Sequence, residues 1–365
     1  MTFIFWHPIL CKLQSAYLRN IAEKHNVILV VERKLNSLRV EQGFEIPDYG
    51  KVEVIIAPNE LQINNLFQIS DAVHIISGVW AYKMPNKALK LAIKKCLPVG
   101  LFAESFNWMG TKGKLRFIKY WLFKILYGKH IRFILTTGKR GQWCFESVGF
   151  KKSIIYDWAY ISETPELPKL TQFEEKRKPQ LIFIGQIDVR KNILSLVNVC
   201  KYLGIINQLR IIGGGTLLPG LKKAIENTDC QYLGEVIQDK SYQNQIVADS
   251  DVLILPSLYD GWGAVINEAL MCGTPVIASD NCGSSILIQN ERGRIFSIKN
   301  NNLEKVLSDF IKELPYSIEK REKIRNWALQ NISGEVVAKY FDEIMQYVFA
   351  GTPQRPVAPW LNVLQ

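Results

Sequence analysis

At 365 residues with 48% hydrophobic and 22% charged content, the chain has ordinary globular composition and room for two domains of roughly 150 to 200 residues, which argues against one oversized domain. The net charge of +11 is unevenly placed: residues 1–160 hold 23 Lys and Arg against 11 Asp and Glu, and the remainder holds 22 against 23. A basic amino-terminal half implies an anionic partner, with nucleic acid, an anionic membrane surface and a phosphorylated acceptor all compatible, while seven scattered cysteines without a C-x-x-C pair argue against a disulfide framework or a cysteine metal site.

The start, MTFIFWHPIL, lacks a basic segment followed by a long apolar run and a cleavage site, so no signal peptide is expected. No segment offers the roughly 18 uncharged apolar residues of a membrane-spanning helix, and a cytoplasmic protein with reduced, mostly buried cysteines is expected. Short apolar runs then alternate with amphipathic stretches: VILVV (27–31), VEVIIA (52–57), AVHIIS (72–77) and PVGLFAE (98–104) read as strands, and KALKLAIKKC (87–96) as a surface helix between them. The segment KGKLRFIKYWLFKILYGKHIR (112–132) places seven Lys and Arg among aromatic and aliphatic residues. Such a helix suits the headgroup layer of an anionic membrane, and equally an ordinary domain helix with its apolar face packed.

A polar, proline-bearing stretch, SETPELPKLTQFEEKRKP (162–179), breaks the alternation and is expected to contain the interdomain linker, placed at 166–179. The rhythm resumes with LIFIG (181–185), LRIIGGG (209–215), QYLGEV (231–236), DVLILPS (251–257) and TPVIASD (274–280), each followed by a helical stretch. The expected architecture is α/β, with two Rossmann-like domains facing a cleft: residues 1–165, then 180–335. A carboxyl-terminal helix over 336–350 is expected to return to the first domain, ahead of a loosely held proline-containing tail, 351–365.

The densest local signal lies between Asp251 and Asp280. A buried strand ends at Pro256-Ser257, a loop Asp260-Gly261-Trp262-Gly263 follows, and a helix starting near Ala264 carries Glu268. Ligands of open parallel sheets bind outside the carboxyl ends of strands, where this loop falls. The glycines admit close approach, and the amides of Gly263, Ala264 and Val265 can bind phosphate at the helix start. Asp260 and Glu268 could accept hydrogen bonds from sugar and ribose hydroxyls, an arrangement suited to a nucleotide-sugar. On spacing alone, a turn residue and a first-turn helix carboxylate describe them as well.

The second half resembles the retaining, GT-B-fold glycosyltransferases called group 1 or family 4. Members carry a strand ending in Pro-Ser, then E-G-x-G, a second Glu completing E-x(7)-E, and G-x-P-V-I-A. Here those positions read Pro256-Ser257, Asp260-Gly261-Trp262-Gly263, Glu268, and Gly273-Thr274-Pro275-Val276-Ile277-Ala278. FIGQIDVRKNI (183–193) is similar to the family's G-R-x-x-x-x-K-G segment, and LRIIGGGT and QYLGEV to two of its strands; the resemblance covers residues 180–300 well and the first half in outline.

The resemblance implies that Lys191, with Arg190 in place of the charge lost at Gln186, neutralises a donor diphosphate, that Glu268 binds the nucleotide ribose, and that Asp260 contacts the donor sugar. Backbone near Val236 would face the base. Asp260 is one methylene shorter than the family's Glu, and Asn192 replaces its Gly. Where the family often has a cleft histidine after P-V-V-x-T, this chain has Glu104, a candidate for donor or acceptor hydroxyls; His7 and His74 are alternatives, with His74 reading as structural.

The implied reaction is glycosyl transfer with retention from a UDP- or GDP-sugar to a glycan or lipid-linked acceptor, in cell-surface polysaccharide synthesis, with no metal and no other cofactor. Charge stabilisation by Lys191 and the amides near residue 264 would take the place of a metal ion. A peripheral membrane location through 112–132 is expected, and nucleic-acid binding is not, for want of a recognisable module. The competing expectations are a catalytically silent nucleotide-sugar-binding subunit and, on the Gly213-Gly214-Gly215 run, a dinucleotide-dependent oxidoreductase, for which the full G-x-G-x-x-G pattern is missing.

Overall fold

A computed structural model of the chain describes residues 1–33, 47–106, 110–138, 140–173, 177–235 and 239–361. It divides into two units: Met1–Glu163 with Ser333–Gln365, and Thr164–Ile332.

The first unit is built on seven parallel strands: β1 (Thr2–Ile9), β2 (Asn26–Arg33), β3 (Glu53–Ile56), β4 (Ala72–Ser77), β5 (Val99–Glu104), β6 (Ile131–Thr137) and β7 (Ile155–Trp158), in spatial order β3-β2-β1-β4-β5-β6-β7. Runs such as Phe3-Ile4-Phe5-Trp6 and Val27-Ile28-Leu29-Val30-Val31 are buried throughout, as a parallel sheet covered on both faces requires. The crossover helices include Lys12–Ile21 and Lys83–Lys94. The helix Gly334–Met345 starts at Ser333, whose hydroxyl accepts from the Val336 amide, and packs on the helix Lys12–Ile21. Phe341 meets Phe3 edge-on at 4.9 Å, so the chain's last long helix completes the first unit's core.

The second unit has six parallel strands: β8 (Leu181–Ile184), β9 (Leu209–Ile212), β10 (Gln231–Tyr232), β11 (Val252–Leu255), β12 (Val276–Ser279) and β13 (Gly293–Phe296), in order β10-β9-β8-β11-β12-β13. Both sheets are therefore of the doubly wound, Rossmann-like kind. In the second, the strand order turns around between β8 and β11, the place where such sheets open a crevice at their carboxyl ends.

Several boundaries differ from the sequence-based expectation. The stretch 166–179 does not hang free: the Lys169 backbone exchanges two hydrogen bonds with the Gln245 side chain, and Arg177 pairs with the buried Asp251 at 2.8 Å while lying over Phe173. It belongs to the second unit, and the return to the first comes at Ser333. The segment 112–132 is α-helical only through Tyr127; a 3-10 turn, Gly128–His130, follows, and Ile131 already pairs in β6. The tail is not loose over its described part, because Trp360 is buried against Tyr340 and Arg355 lies over Tyr156 at 5.0 Å while donating to the Ile155 carbonyl. The strand expected over 231–236 is two residues long, and Val236 lies outside the described residues.

His7 and His74 are both buried in the first unit's sheet. His74 accepts from the Trp6 indole at 3.1 Å and stacks on Phe67 at 4.5 Å, which makes it a core residue. Burial lowers His7 to about 3 and His74 to about 4. Both values lie below the unfolded value of about 6.5, so the stabilising contribution is fully present above pH 6.5. As pH falls below that, the unfolded chain takes up protons that the folded chain refuses, and stability drops. Between pH 6.5 and 5 each histidine should cost about 2 kcal/mol. Urea unfolding across this range should show the loss, and a His74→Gln variant should show a shallower pH dependence than wild type.

Candidate functional site

The loop after β8 and the loop after β11 meet at the turnaround of the second sheet. In the first, Asp188 accepts from the Lys191 backbone amide at 2.8 Å, an Asx-type turn that sets the direction of the lysine. Asn192 then adopts the left-handed conformation, φ 57°, which asparagine tolerates better than most residues and which explains how it replaces glycine here. Its side-chain amide donates to the Pro256 carbonyl at 3.2 Å, and Leu258 donates its amide to the Arg190 carbonyl at 2.8 Å. The two loops are thus tied together by backbone as well as side chain.

Two of the expected residues converge on a third, and one of the two also reaches a fourth. The buried Lys191 ammonium pairs with the Asp260 carboxylate, Arg190 lies 3.6 Å from the same oxygen, and Arg190 also reaches the Gln186 side-chain oxygen at 3.4 Å. Arg190 thus places a guanidinium beside Gln186 on the same loop.

The loop Asp260–Gly263 is held from its other side by the segment after β12. Asp260 pairs in a short parallel bridge with Cys282, donating to the Asn281 carbonyl and accepting from the Gly283 amide. The Ser284 hydroxyl reaches the Trp262 and Gly263 carbonyls at 2.7 and 3.1 Å, and the Cys282 thiol reaches Trp262. Burial, with the Asp260 charge adding, pushes that thiol up to about 12, so it remains a neutral donor. Gly263 has φ 92°, and a Cβ there would lie 2.6 Å from the Cys282 sulfur. Asp188, Asn192, Cys282 and Ser284 were not among the sequence-derived site residues. Asp188, three places before Lys191, and Asn192, in the place of a Gly, carried local turn signals; Cys282 and Ser284 act across the fold.

The helix Val265–Met271 follows, with Ala264 as its first flanking residue. Glu268 lies in its first turn, half-buried, and its charge adds to burial in pushing the Cys272 thiol up to about 12. Gly263, Ala264 and Val265 stand at the helix start as expected. Trp262 differs: its side chain is buried with the indole donating to Asn267 at 3.0 Å, which leaves only its backbone for a ligand.

Glu104 belongs to the first unit, at the end of β5, where it accepts from the Tyr160 hydroxyl at 2.8 Å. Burial first and the Glu104 charge second raise the Tyr160 phenol well above its usual range. The glycine run after β9 has a structural explanation. Gly213 has φ 150°, and a Cβ there would lie 1.9 Å from the Gly185 carbonyl oxygen; the Ile187 amide bonds the Gly214 carbonyl at 2.8 Å. These glycines let the β9 loop press against the loop bearing Lys191, a role distinct from a dinucleotide fingerprint.

Residues 169–330 match the family model described as Glycosyl transferases group 1. An uncharacterized 41.2 kDa protein in the cps region of Klebsiella pneumoniae is 24% identical over 270 residues, covering 72% of this chain and 66% of that protein. The UDP-Gal:alpha-D-GlcNAc-diphosphoundecaprenol alpha-1,3-galactosyltransferase of Escherichia coli is 32% identical over 117 residues, 30% of each chain. The chain spans between 23% and 66% of the lengths of the curated relatives it matches. Among solved structures, the lipopolysaccharide outer core galactosyltransferase WaaB in its apo form superposes with a TM-score of 0.69 at 14% identity, covering 96% of this chain and 100% of that one, which establishes a shared fold. Residues 169–330 are thus similar to group 1 glycosyl transferases, and the two-unit α/β fold is shared with solved glycosyltransferase structures.

Proposed function

We propose that the chain is a metal-independent, retaining glycosyltransferase of family 4, which moves a sugar from a UDP- or GDP-sugar to a glycan or lipid-linked acceptor in cell-surface polysaccharide assembly. The observation that carries this reading is the convergence of Lys191 and Arg190 on Asp260 at the turnaround between β8 and β11. Two cations and a carboxylate at that place suit a sugar diphosphate. The diphosphate would take the cations, and Asp260 would be released to accept from a sugar hydroxyl. As the bond between the anomeric carbon and the diphosphate breaks, negative charge grows on the leaving oxygen, and Lys191 offers the nearest fixed cation. With that charge met by side chains, no ion is required to stabilise the leaving group.

Glu268 is assigned to the ribose hydroxyls and Glu104 to hydroxyls of donor or acceptor. The polysaccharide context rests on the names of the relatives: one lies in a cps region, and another takes UDP-galactose and a diphosphoundecaprenol-linked acceptor. A lipid-linked acceptor would also place the reaction at a membrane surface.

Thermal stabilisation by a panel of UDP- and GDP-sugars tests donor binding without any acceptor. One nucleotide-sugar should raise the melting temperature in a saturable way. Glu268→Gln should weaken that binding by about 1.5 to 3 kcal/mol, the worth of a hydrogen bond to a charged group. If no member of the panel stabilises the wild-type protein, the donor assignment falls.

A further inference from the structure

The helix Gly110–Tyr127 is packed the wrong way round for an ordinary surface helix. It turns Tyr120 and Phe123 inward: Tyr120 stacks on Phe106 at 4.7 Å, and Phe123 meets Trp80 edge-on at 5.3 Å. Its aliphatic residues point out, with Trp121 and Phe117 also exposed. Leu115, Ile118, Trp121, Leu122, Ile125 and Leu126 are each between 43% and 67% exposed. At helical spacing these six fall within an arc of about 140°. A contiguous apolar stripe of this kind on a soluble unit marks a surface that meets something else.

The charges on the helix identify the partner. Lys112, Lys114, Arg116, Lys119 and Lys124 are its only ionisable charged side chains, and no Asp or Glu occurs between Glu104 and Glu146. A second copy seated on the stripe would bring two such basic helices together with no acid on either to offset them, and like charges in contact oppose association. A bilayer rich in anionic lipid answers both features at once, with acyl chains for the stripe and headgroups for the lysines. The helix is too charged to cross a membrane, and no helix among the described residues is long and apolar enough to do so. Eighteen residues give a length of about 27 Å, which would lie in the plane of the surface.

We propose that the helix Gly110–Tyr127 docks the first unit on an anionic lipid surface, with the six exposed apolar side chains entering the boundary between headgroups and acyl chains. This assignment stands on the helix alone and is independent of the donor site.

Flotation of the full chain with vesicles of phosphatidylcholine containing phosphatidylglycerol tests it against vesicles of phosphatidylcholine alone. Binding should be at least about tenfold stronger to the anionic vesicles and should weaken with salt. The double variant Leu122→Glu/Ile125→Glu should lose vesicle binding by a similar factor while keeping its melting transition and its response to nucleotide-sugars, since both side chains face solvent. Brominated lipid should quench part of the wild-type tryptophan fluorescence that a Trp121→Phe variant no longer shows. Equal binding by the double variant, absence of wild-type binding, or a wild-type dimer in sedimentation equilibrium that the double variant dissolves would each overturn the proposal. The last result would assign the stripe to self-association.

Discussion

Replacing Lys191 with Ala should lower kcat/KM by about 2 to 4 kcal/mol, the range seen when one main charge stabiliser of a developing oxyanion is removed. The loop presents this ammonium with little freedom: Asp188 holds its backbone, Asn192 turns the chain immediately after it, and the side chain is buried against Asp260. The loss should be sharp but incomplete, because Arg190 stays 3.6 Å from the same carboxylate and keeps a cation at the site. Removing one partner of a pair this enclosed also destabilises the protein, since it leaves a carboxylate less well matched. The double variant Lys191→Ala/Asp260→Asn separates the effects. If the lysine acts only by neutralising Asp260, the double variant should recover both stability and turnover. If it acts on the leaving group, stability should return and turnover should not.

Gly213→Ala should cost about 3 to 5 kcal/mol of stability. Two separate strains contribute. Alanine is forced into φ near 150°, and its methyl meets the Gly185 carbonyl oxygen, a backbone atom that cannot rotate away. Relief requires the β9 loop to move off the loop that carries Lys191, so the variant should also lose nucleotide-sugar binding. A urea midpoint within error of wild type would show that the two loops are not in the contact described.

The strands were legible because a parallel sheet covered on both faces needs unbroken apolar runs, and VILVV, LIFIG and VLIL have few other uses. Lys191, Arg190, Asp260 and Glu268 were named through the resemblance to family motifs, and the fold puts the first three on loops that follow directly on strands and Glu268 on the helix after one of them. What escaped depends on contacts far apart in sequence. Nothing local in Trp262 says that its ring turns inward to Asn267, and nothing near Cys282 and Ser284 says that they hold a loop twenty residues earlier. The prolines after Gly351 suggested a loose end, yet the fit of Trp360 against Tyr340 holds it to the first unit. The segment 112–132 was ambiguous for a related reason: its pattern shows that an apolar face exists, and only the fold shows that this face was left uncovered.

Mass spectrometry of a lipid and oligosaccharide extract, incubated with the full chain and the nucleotide-sugar that stabilises it, distinguishes glycosyl transfer at the Lys191–Asp260 constellation from donor binding alone. A product heavier than its acceptor by one sugar residue should form with release of the nucleoside diphosphate, and should be strongly reduced in Lys191→Ala. Donor binding without any transfer or hydrolysis across the acceptors would contradict glycosyl transfer, and would leave the chain as a nucleotide-sugar-binding subunit.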